Sequence, residues 1–389
     1  MRGGGIGYGV DTEGGVVDQC STGLASSLDR RFETFMGSSV GILMDGYALR
    51  KAIQGYQVHE SINIYREIAI AEEIPIVVFS VNGINLRRNT VRGYIPTGDG
   101  WESATAPIPR VIHKRVLYST SPPLNVLSRL RSRGVVFVNP YLMQNKYAIY
   151  QLLACDAQVA PHLPATWVYS WRRLVRCLAM GHTMILKPMI GSVGRGVMRI
   201  APRGKYSVEL AGKHTRMMSY SHLRRYLHQQ VQPRRFLLQQ YLNLAKVNDN
   251  PFDLRVPVQR DETGEWTVPG MVAKISGVHP FLTNLAQGGA AIPGEAAIAA
   301  AFSPSVAADV RISIEPLAKN VAKAIARAYP SAADLGLDIG LDVEAKPWLI
   351  EVNSRDQRIT FSEAGLHDTH KTLYRNPLMY CARLIKERT

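Results

Sequence analysis

The sequence predicts an α/β (α+β) protein in two parts, an N-terminal open parallel α/β unit at residues 39–140 and a larger unit at 141–389. Three observations point there. Short apolar runs suited to buried strands alternate with helical spacing before residue 140. A strand-like Ile185-Leu186-Lys187-Pro188 runs into a glycine-rich loop. Near the C-terminus two strand-like segments, Leu337 to Val343 and Trp348 to Val352, flank a short turn.

Residues 1–38 read as a disordered glycine-rich tail, since no apolar period survives among Gly3, Gly4, Gly5, Gly7 and Gly9. Val40 to Met44 and Ile74 to Val81 are the first two strands, with Ile62, Tyr65, Ile68 and Ala69 at helical spacing between them. Thr90 to Arg115, rich in Gly, Pro and Tyr, reads as a hairpin or extended excursion, Leu124 to Arg133 as a basic helix and Val135 to Val138 as a strand. Beyond Tyr141, helices are expected at Lys146 to Cys155 and at Trp171 to Met180, the latter closed by Gly181. Strands follow at Thr183 to Lys187, Phe236 to Leu242, Asp253 to Gln259 and Trp266 to Ile275, and a basic, potentially helical stretch lies at 213–235. A helix is expected from Pro316, in the first turn, to Ala328.

The bulk composition removes several function classes. Of 389 residues, 46% are hydrophobic and 20% charged, an ordinary globular balance, and no apolar run approaches bilayer length. The N-terminus lacks the charged start and apolar middle of a signal peptide, and four scattered cysteines without a C-x-x-C pair fit a reducing cytoplasm, the expected location. A formal charge of +15 favours an anionic partner. Nine Lys/Arg between Arg87 and Arg133 face only Asp99 and Glu102, so this is where an anionic substrate is sought. Nucleic acid is not the expected partner, because aromatics are not interleaved with the basic runs.

The C-terminal hairpin carries the most chemistry. Pairing Asp338 with Asn353 and Gly340 with Glu351 sets Asp338, Glu351 and Asn353 on one face. Two carboxylates and an amide oxygen suit Mg²⁺ held with a polyphosphate, although a solvent-facing polar strip has the same pattern. Asp342 shares that face but sits nearer the turn and is excluded from the set. Lys187 precedes Gly191, Ser192, Gly194 and Gly196, whose backbone N–H groups could close on phosphates. The order is not that of a P-loop, and a plain loop fits equally well. Asp253 and Arg255 share a strand face, either over an anionic ligand or as a surface ion pair. Lys274, Thr283-Asn284-Leu285 and Gly288-Gly289 add polar groups in loops.

In order, NKY at Asn145, ILKPMIGSVGRG from Ile185, LLQQYL from Leu237, FDLRV from Phe252, TNLAQGG from Thr283, LGLDIGLDV and WLIEVN resemble the ATP-grasp superfamily. The stretch from Gly93 to Arg115, ending IPRVIHKR, extends the resemblance to the YheC/YheD-like subgroup associated with endospore coats. A glutamate ligase family that extends a ribosomal protein is similar in its D-x-R strand and D…E-V-N hairpin. The resemblance implies an ATP-grasp fold at 141–389 with a nucleotide cleft between its two subdomains. It further implies Lys146 and Lys187 on the α- and β-phosphates, and Gln239, Gln240, Tyr241 and Leu242 as the adenine hinge. Arg255 and Lys274 would hold the transferred phosphoryl group, Asn284 would assist, and Asp338, Glu351 and Asn353 would hold two Mg²⁺. Two departures stand out: Gln239-Gln240 where many relatives carry Glu, and Ser354 to Arg358 where a small residue-Pro-Gly often follows E-V-N.

The function expected from this resemblance is an ADP-forming carboxylate–amine ligase working through an acyl-phosphate. Its substrates would be a carboxylate-bearing small molecule or peptide plus an amine. The alternative is a non-catalytic ATP-binding coat or interaction protein with the same fold.

Overall fold

A computed structural model of the chain describes residues 38–118, 120–139, 145–191, 194, 196–210, 215–231, 235–277 and 289–388. The tail expected at 1–38 (save Ser38), Ser192 and Asn284 lie outside these residues.

Val40–Leu43 (β1), Ile76–Phe79 (β2), Val111–Lys114 (β6) and Val136–Val138 (β7) form the parallel part of the first sheet. The first three are buried along their whole length, as strands covered on both faces must be. Ile84–Asn85 (β3), Thr90–Pro96 (β4) and Trp101–Pro107 (β5) add antiparallel strands, and the order is β3-β4-β2-β1-β6-β7 with β5 on β4. Thus the excursion expected at 90–115 is a hairpin followed by a central parallel strand. Helix α1 (Gly46–Ile53) follows β1, its N-terminus capped by Asp45, which accepts from the N–H groups of Tyr47 and Ala48 at 3.0 Å. Helix α2 (Ile62–Ala71) buries the predicted Ile62, Tyr65, Ile68 and Ala69. From β1 the chain runs to β2 on one side and later to β6 on the other. Leu43 lies beside Phe79 and Lys114, so the carboxyl ends of all three strands share one edge.

A second, antiparallel sheet comprises Thr166–Val168 (β8), Met184–Pro188 (β9), Met198–Arg203 (β10), Lys205–Leu210 (β11), Arg216–Met218 (β12) and Phe236–Gln240 (β13), in the order β12-β11-β10-β9-β13-β8. Between β7 and this sheet runs a helix at Lys146–Ala154, preceded in the chain by one at Ser121–Ser132. The helices Trp171–Ala179 and Tyr220–Gln230 supply Leu174, Leu178, Leu223 and Leu227 to the second sheet's core. The third sheet contains Lys246–Val247 (β14), Asn250–Arg260 (β15), Trp266–Thr267 (β16), Val272–Ile275 (β17), Ala290–Pro293 (β18), Asp334–Leu341 (β19) and Pro347–Asn353 (β20), ordered β18-β17-β15-β19-β20. The strand expected at Trp266 to Ile275 is therefore two, interrupted around Pro269 and Gly270.

Two further expectations need correction. The helix expected to start at Pro316 runs from Pro304 to Ala328; Pro304 takes the first-turn position and Pro316 lies inside. Val310, Ile314, Leu317 and Val321 bury one continuous face, and this packing carries the helix through the missing N–H of the proline. In the hairpin, Asp338 pairs with Glu351 and Gly336 with Asn353, a register slid by two from that expected. Two features together cause the slide. Asp342 Oδ1 accepts from the N–H groups of Glu344 and Lys346 and its Oδ2 from the Trp348 indole, closing a longer turn whose last pair, Leu341 with Pro347, is three from the expected register, and a bulge between Asp338 and Ile339 takes one residue back. Because side chains alternate with period two, the slide keeps the three polar residues on one face. Finally, a C-terminal helix with no sequence expectation, His367–Lys386, returns to the first sheet and buries Tyr374, Leu378, Cys381 and Ile385 there. No helix among the described residues is long and apolar enough to cross a membrane.

Candidate functional site

Lys146 starts its helix directly after Asn145, whose side chain caps the N–H groups of Tyr147 and Ala148 at 3.0 and 3.3 Å. Its ammonium reaches Glu351 of β20 at 3.2 Å. Lys187, on β9, donates to the carbonyl of Ile350 at 3.4 Å. A bulge between Asp338 and Ile339 leaves Ile350 outside the pairing, because Ile339 already faces Leu349. Two lysines from separate elements thus reach the same stretch of β20. Burial pushes the Lys187 ammonium down to about 8, with Lys146 adding to the effect and Glu351 opposing it.

These groups line a cleft of about 280 Å³ between the second and third sheets, together with Gly191, Gln239 and Asn353. Its floor is apolar, with Ile149, Leu153, Leu163 and Leu237. Gln239 is held there by its amide, which donates to the Thr166 hydroxyl at 2.8 Å. A partly apolar slot ending in cations and carboxylates suits a flat aromatic group joined to a polyphosphate.

Beneath the cleft lies a second layer of charge, built by cross-strand pairing. Arg255 faces Asp338, and Asp253 faces Lys274. Arg255 donates from Nε to Asp338 at 2.8 Å and from Nη1 to Asp356 at 2.8 Å. Lys274 Nζ lies 2.9 Å from Asp338 and 3.0 Å from Asp253. Burial disfavours the Asp338 carboxylate, but Arg255 and Lys274 outweigh it and hold the group ionised well below the usual range. The Asn353 amide donates to Asp338 Oδ2 at 3.2 Å and so ties the two layers together.

Hence the structure brings together Lys146, Lys187, Gly191, Gln239, Glu351 and Asn353 at the cleft, with Asp338, Arg255 and Lys274 directly behind. Gln240, Tyr241 and Leu242 lie outside the cleft lining: the Gln240 side chain accepts from the Ala165 N–H, and Tyr241 packs under Arg199 at 4.6 Å. Gly194 and Gly196 adopt φ of +68° and +75° and are likewise outside it. Among the described residues no three His, Cys, Asp or Glu side chains cluster as a metal site, so an ion here relies on the Asn353 amide as a donor. Glu351, Asn353 and Asp338 do offer the hard oxygens that Mg²⁺ takes.

Sequence reasoning missed Asp356, Thr166 and the Ile350 carbonyl. Asp356 falls in the stretch after E-V-N that departs from the family pattern, and only its burial beside Arg255 reveals its part.

A model of the YheC/D like ATP-grasp family matches residues 134–384. The chain is 26% identical to the endospore coat-associated protein YheD of Bacillus subtilis (strain 168) over 323 residues, 79% of this chain and 70% of that protein. To YheC of the same organism it is 27% identical over 156 residues, 39% of this chain and 43% of that one. The crystal structure of the D-cycloserine synthetase DcsG matches with a TM-score of 0.51 at 11% identity, covering 90% of this chain and 99% of that one, a likeness of fold.

Proposed function

Because the chain belongs to the YheC/D-like ATP-grasp family, we propose that it is an ATP-dependent, ADP-forming ligase that joins a carboxylate to an amine. The observation that carries this reading is the meeting of Lys146 and Lys187 over Glu351 and Ile350, at the polar end of a partly apolar cleft. The Lys146–Glu351 contact is a replaceable one, since both side chains keep some exposure, 20% and 27%. A triphosphate takes the lysines and leaves Glu351 free to turn to a cation.

Adenine lies on the apolar floor beside Gln239, and the phosphates meet Lys146, Lys187 and the backbone at Gly191. Glu351, Asn353 and Asp338 would hold two Mg²⁺, which would neutralise charge on the phosphoryl oxygens. Arg255 and Lys274 hold Asp338 ionised and in place, and in this reading they are positioning residues. The substrate carboxylate, from an amino acid or peptide, attacks the γ-phosphorus; the bond to the bridging oxygen breaks, giving an acyl-phosphate and ADP. The amine then attacks the acyl carbon and phosphate leaves. Fixed cations stabilise the charge developing on oxygen, and no covalent enzyme intermediate is required.

Phosphate release from Mg-ATP across a panel of amino acids and short peptides, offered singly and in pairs, tests the proposal. At least one pairing should release phosphate stoichiometrically with amide formation, and Glu351→Gln should lower that rate by about 10²–10³-fold. A Glu351→Gln protein with wild-type turnover sinks the assignment. Tight ATP binding without phosphate release on any pairing favours instead a nucleotide-binding coat or interaction protein, a reading in keeping with the coat association of YheD and YheC.

A further inference from the structure

The far end of the same cleft, past Asn353, is lined by Ser354, Arg355 and Tyr118 and meets the carboxyl edge of the first sheet. Two cations stand at or behind this end, Arg355 in the lining and Lys114 buried behind it. Lys114 closes β6, is 1% exposed, and spends its ammonium on the Val116 carbonyl at 3.0 Å. Arg355 is half-buried, and its guanidinium contacts the His59 ring at 3.3 Å. Among the described residues neither cation has a carboxylate within ion-pair distance.

The buried acid nearby is already committed. Glu60 binds Arg115 through both oxygens, at 2.9 and 2.8 Å, and also contacts Arg358. Asp45 uses one oxygen to cap α1 and is exposed. Burial therefore pushes Lys114 down to about 8, with Arg115 and Arg355 adding to the effect. A buried cation held without a counter-ion is unfavourable unless an anion arrives.

The location gives a second, independent reason. The chain leaves β1 for β2 on one side and for β6 on the other, so Lys114 borders the point where strand order reverses, the usual ligand position in open α/β sheets.

We propose that Arg355, with His59 beside it and Lys114 beneath, anchors a carboxylate of the substrate other than the one that is activated. The substrate is then an acidic molecule of the dicarboxylate class, an acidic amino acid or a peptide with a free acidic end. The identity of the activated group rests on the ligase reading above, but the anion site does not.

Calorimetric titration of the full chain with glutarate and with its half-amide, glutaramate, in the presence of saturating ADP, tests this directly. Glutarate should bind about tenfold more tightly, and Arg355→Gln should erase the difference while leaving ADP affinity within about twofold. Lys114→Met is the second variant and should weaken glutarate in the same way; if it fails to fold, Arg355→Gln still decides. Equal or absent binding of the two probes, or an Arg355→Gln protein that keeps the preference, overturns the proposal. So does an Arg355→Gln protein that loses a non-hydrolysable ATP analogue about tenfold while keeping ADP, for then the anion is the terminal phosphate. Failure of the ligase reading appears separately, as absent phosphate release with the glutarate preference intact.

Discussion

Two groups of charges in this chain behave in opposite ways. In the first, Arg115 and Arg358 meet Glu60 and Asp334 at 2.6 to 3.3 Å, with side chains at most 2% exposed. Gln259 donates to the other Asp334 oxygen at 2.7 Å, and His113 contacts the shared one at 3.1 Å. Two cations balance two anions, and the cluster locks the first sheet to β19 and to the segment after β20. In the cleft, by contrast, Lys146 and Glu351 are 20% and 27% exposed, and among the described residues Lys187 has only a carbonyl for a partner. The residue types are the same, and access to solvent and completeness of pairing separate them. A sealed, balanced cluster is structural, while an open and incompletely paired one keeps capacity for a ligand. Asp356 joins them: its backbone carbonyl accepts from Arg115 at 2.7 Å and its side chain from Arg255 at 2.8 Å.

The largest expected effect tests the sealed side. Asp334→Ala leaves two buried guanidinium groups short of their shared anion and should cost about 3–5 kcal/mol in urea unfolding, as a lowered midpoint with an unchanged slope. Glu351→Ala in the cleft should cost no more than about 1 kcal/mol, because its ion pair is partly hydrated. Equal losses from the two substitutions would erase the distinction.

The sequence displays the cleft better than the cluster, for physical reasons. Lys187, Glu351 and Asn353 sit in short local patterns, a strand before glycines and a two-residue alternation, and such patterns survive a register error. The expected pairing sets Asp338 against Asn353 and the observed one sets it against Glu351, and a slide of two keeps all three on one face. What moved the register was the turn held by Asp342 together with the bulge between Asp338 and Ile339, and no alternation encodes either. The cluster joins residues 60, 113, 115, 334 and 358, which only tertiary packing brings together. One signal was available: Asp334 opens a strand that is apolar but for Asp338, and a charge in such a strand demands a partner. The last helix escaped notice for a related reason, since its buried face is completed by the first sheet, far away in sequence.

A smaller effect should sharpen the link between the two regions. Gly336 sits on β19 where a Cβ would overlap the Asp356 carboxylate, so only glycine lets that acid reach Arg255. Gly336→Ala should displace Asp356, loosen Arg255 from one of its two anions and lower ligase turnover by about tenfold, with a stability loss of about 1–3 kcal/mol. Asp356→Asn in the same background should add little to the kinetic loss, since the contact is already gone. Full additivity of the two changes would mean that Asp356 acts on its own account.

The mildest perturbation is pH, and it separates the regions by what is titrated. In the cluster, burial brings His113 down from its ordinary 6.5 to about 4, against the opposing pull of Asp334. The unfolded chain binds this proton first, so the stability associated with neutral His113 is complete above 6.5 and is lost as pH falls through about 4. In the cleft, Lys187 is lowered from 10.5 to about 8, so its penalty is full below 8 and is relieved as pH rises toward 10.5. Stability should therefore rise with pH across both windows, but ligand binding should distinguish them. Phosphates favour the protonated lysine, so ADP affinity should fall by up to about tenfold between pH 7 and 9, and Lys187→Arg should flatten that slope. Nucleotide affinity should be indifferent to the protonation of His113, because that ring lies sealed in the cluster rather than on the cleft. A nucleotide affinity that tracked the acidic window and ignored the alkaline one would place the working charge in the sealed cluster, reversing the roles assigned to the two regions.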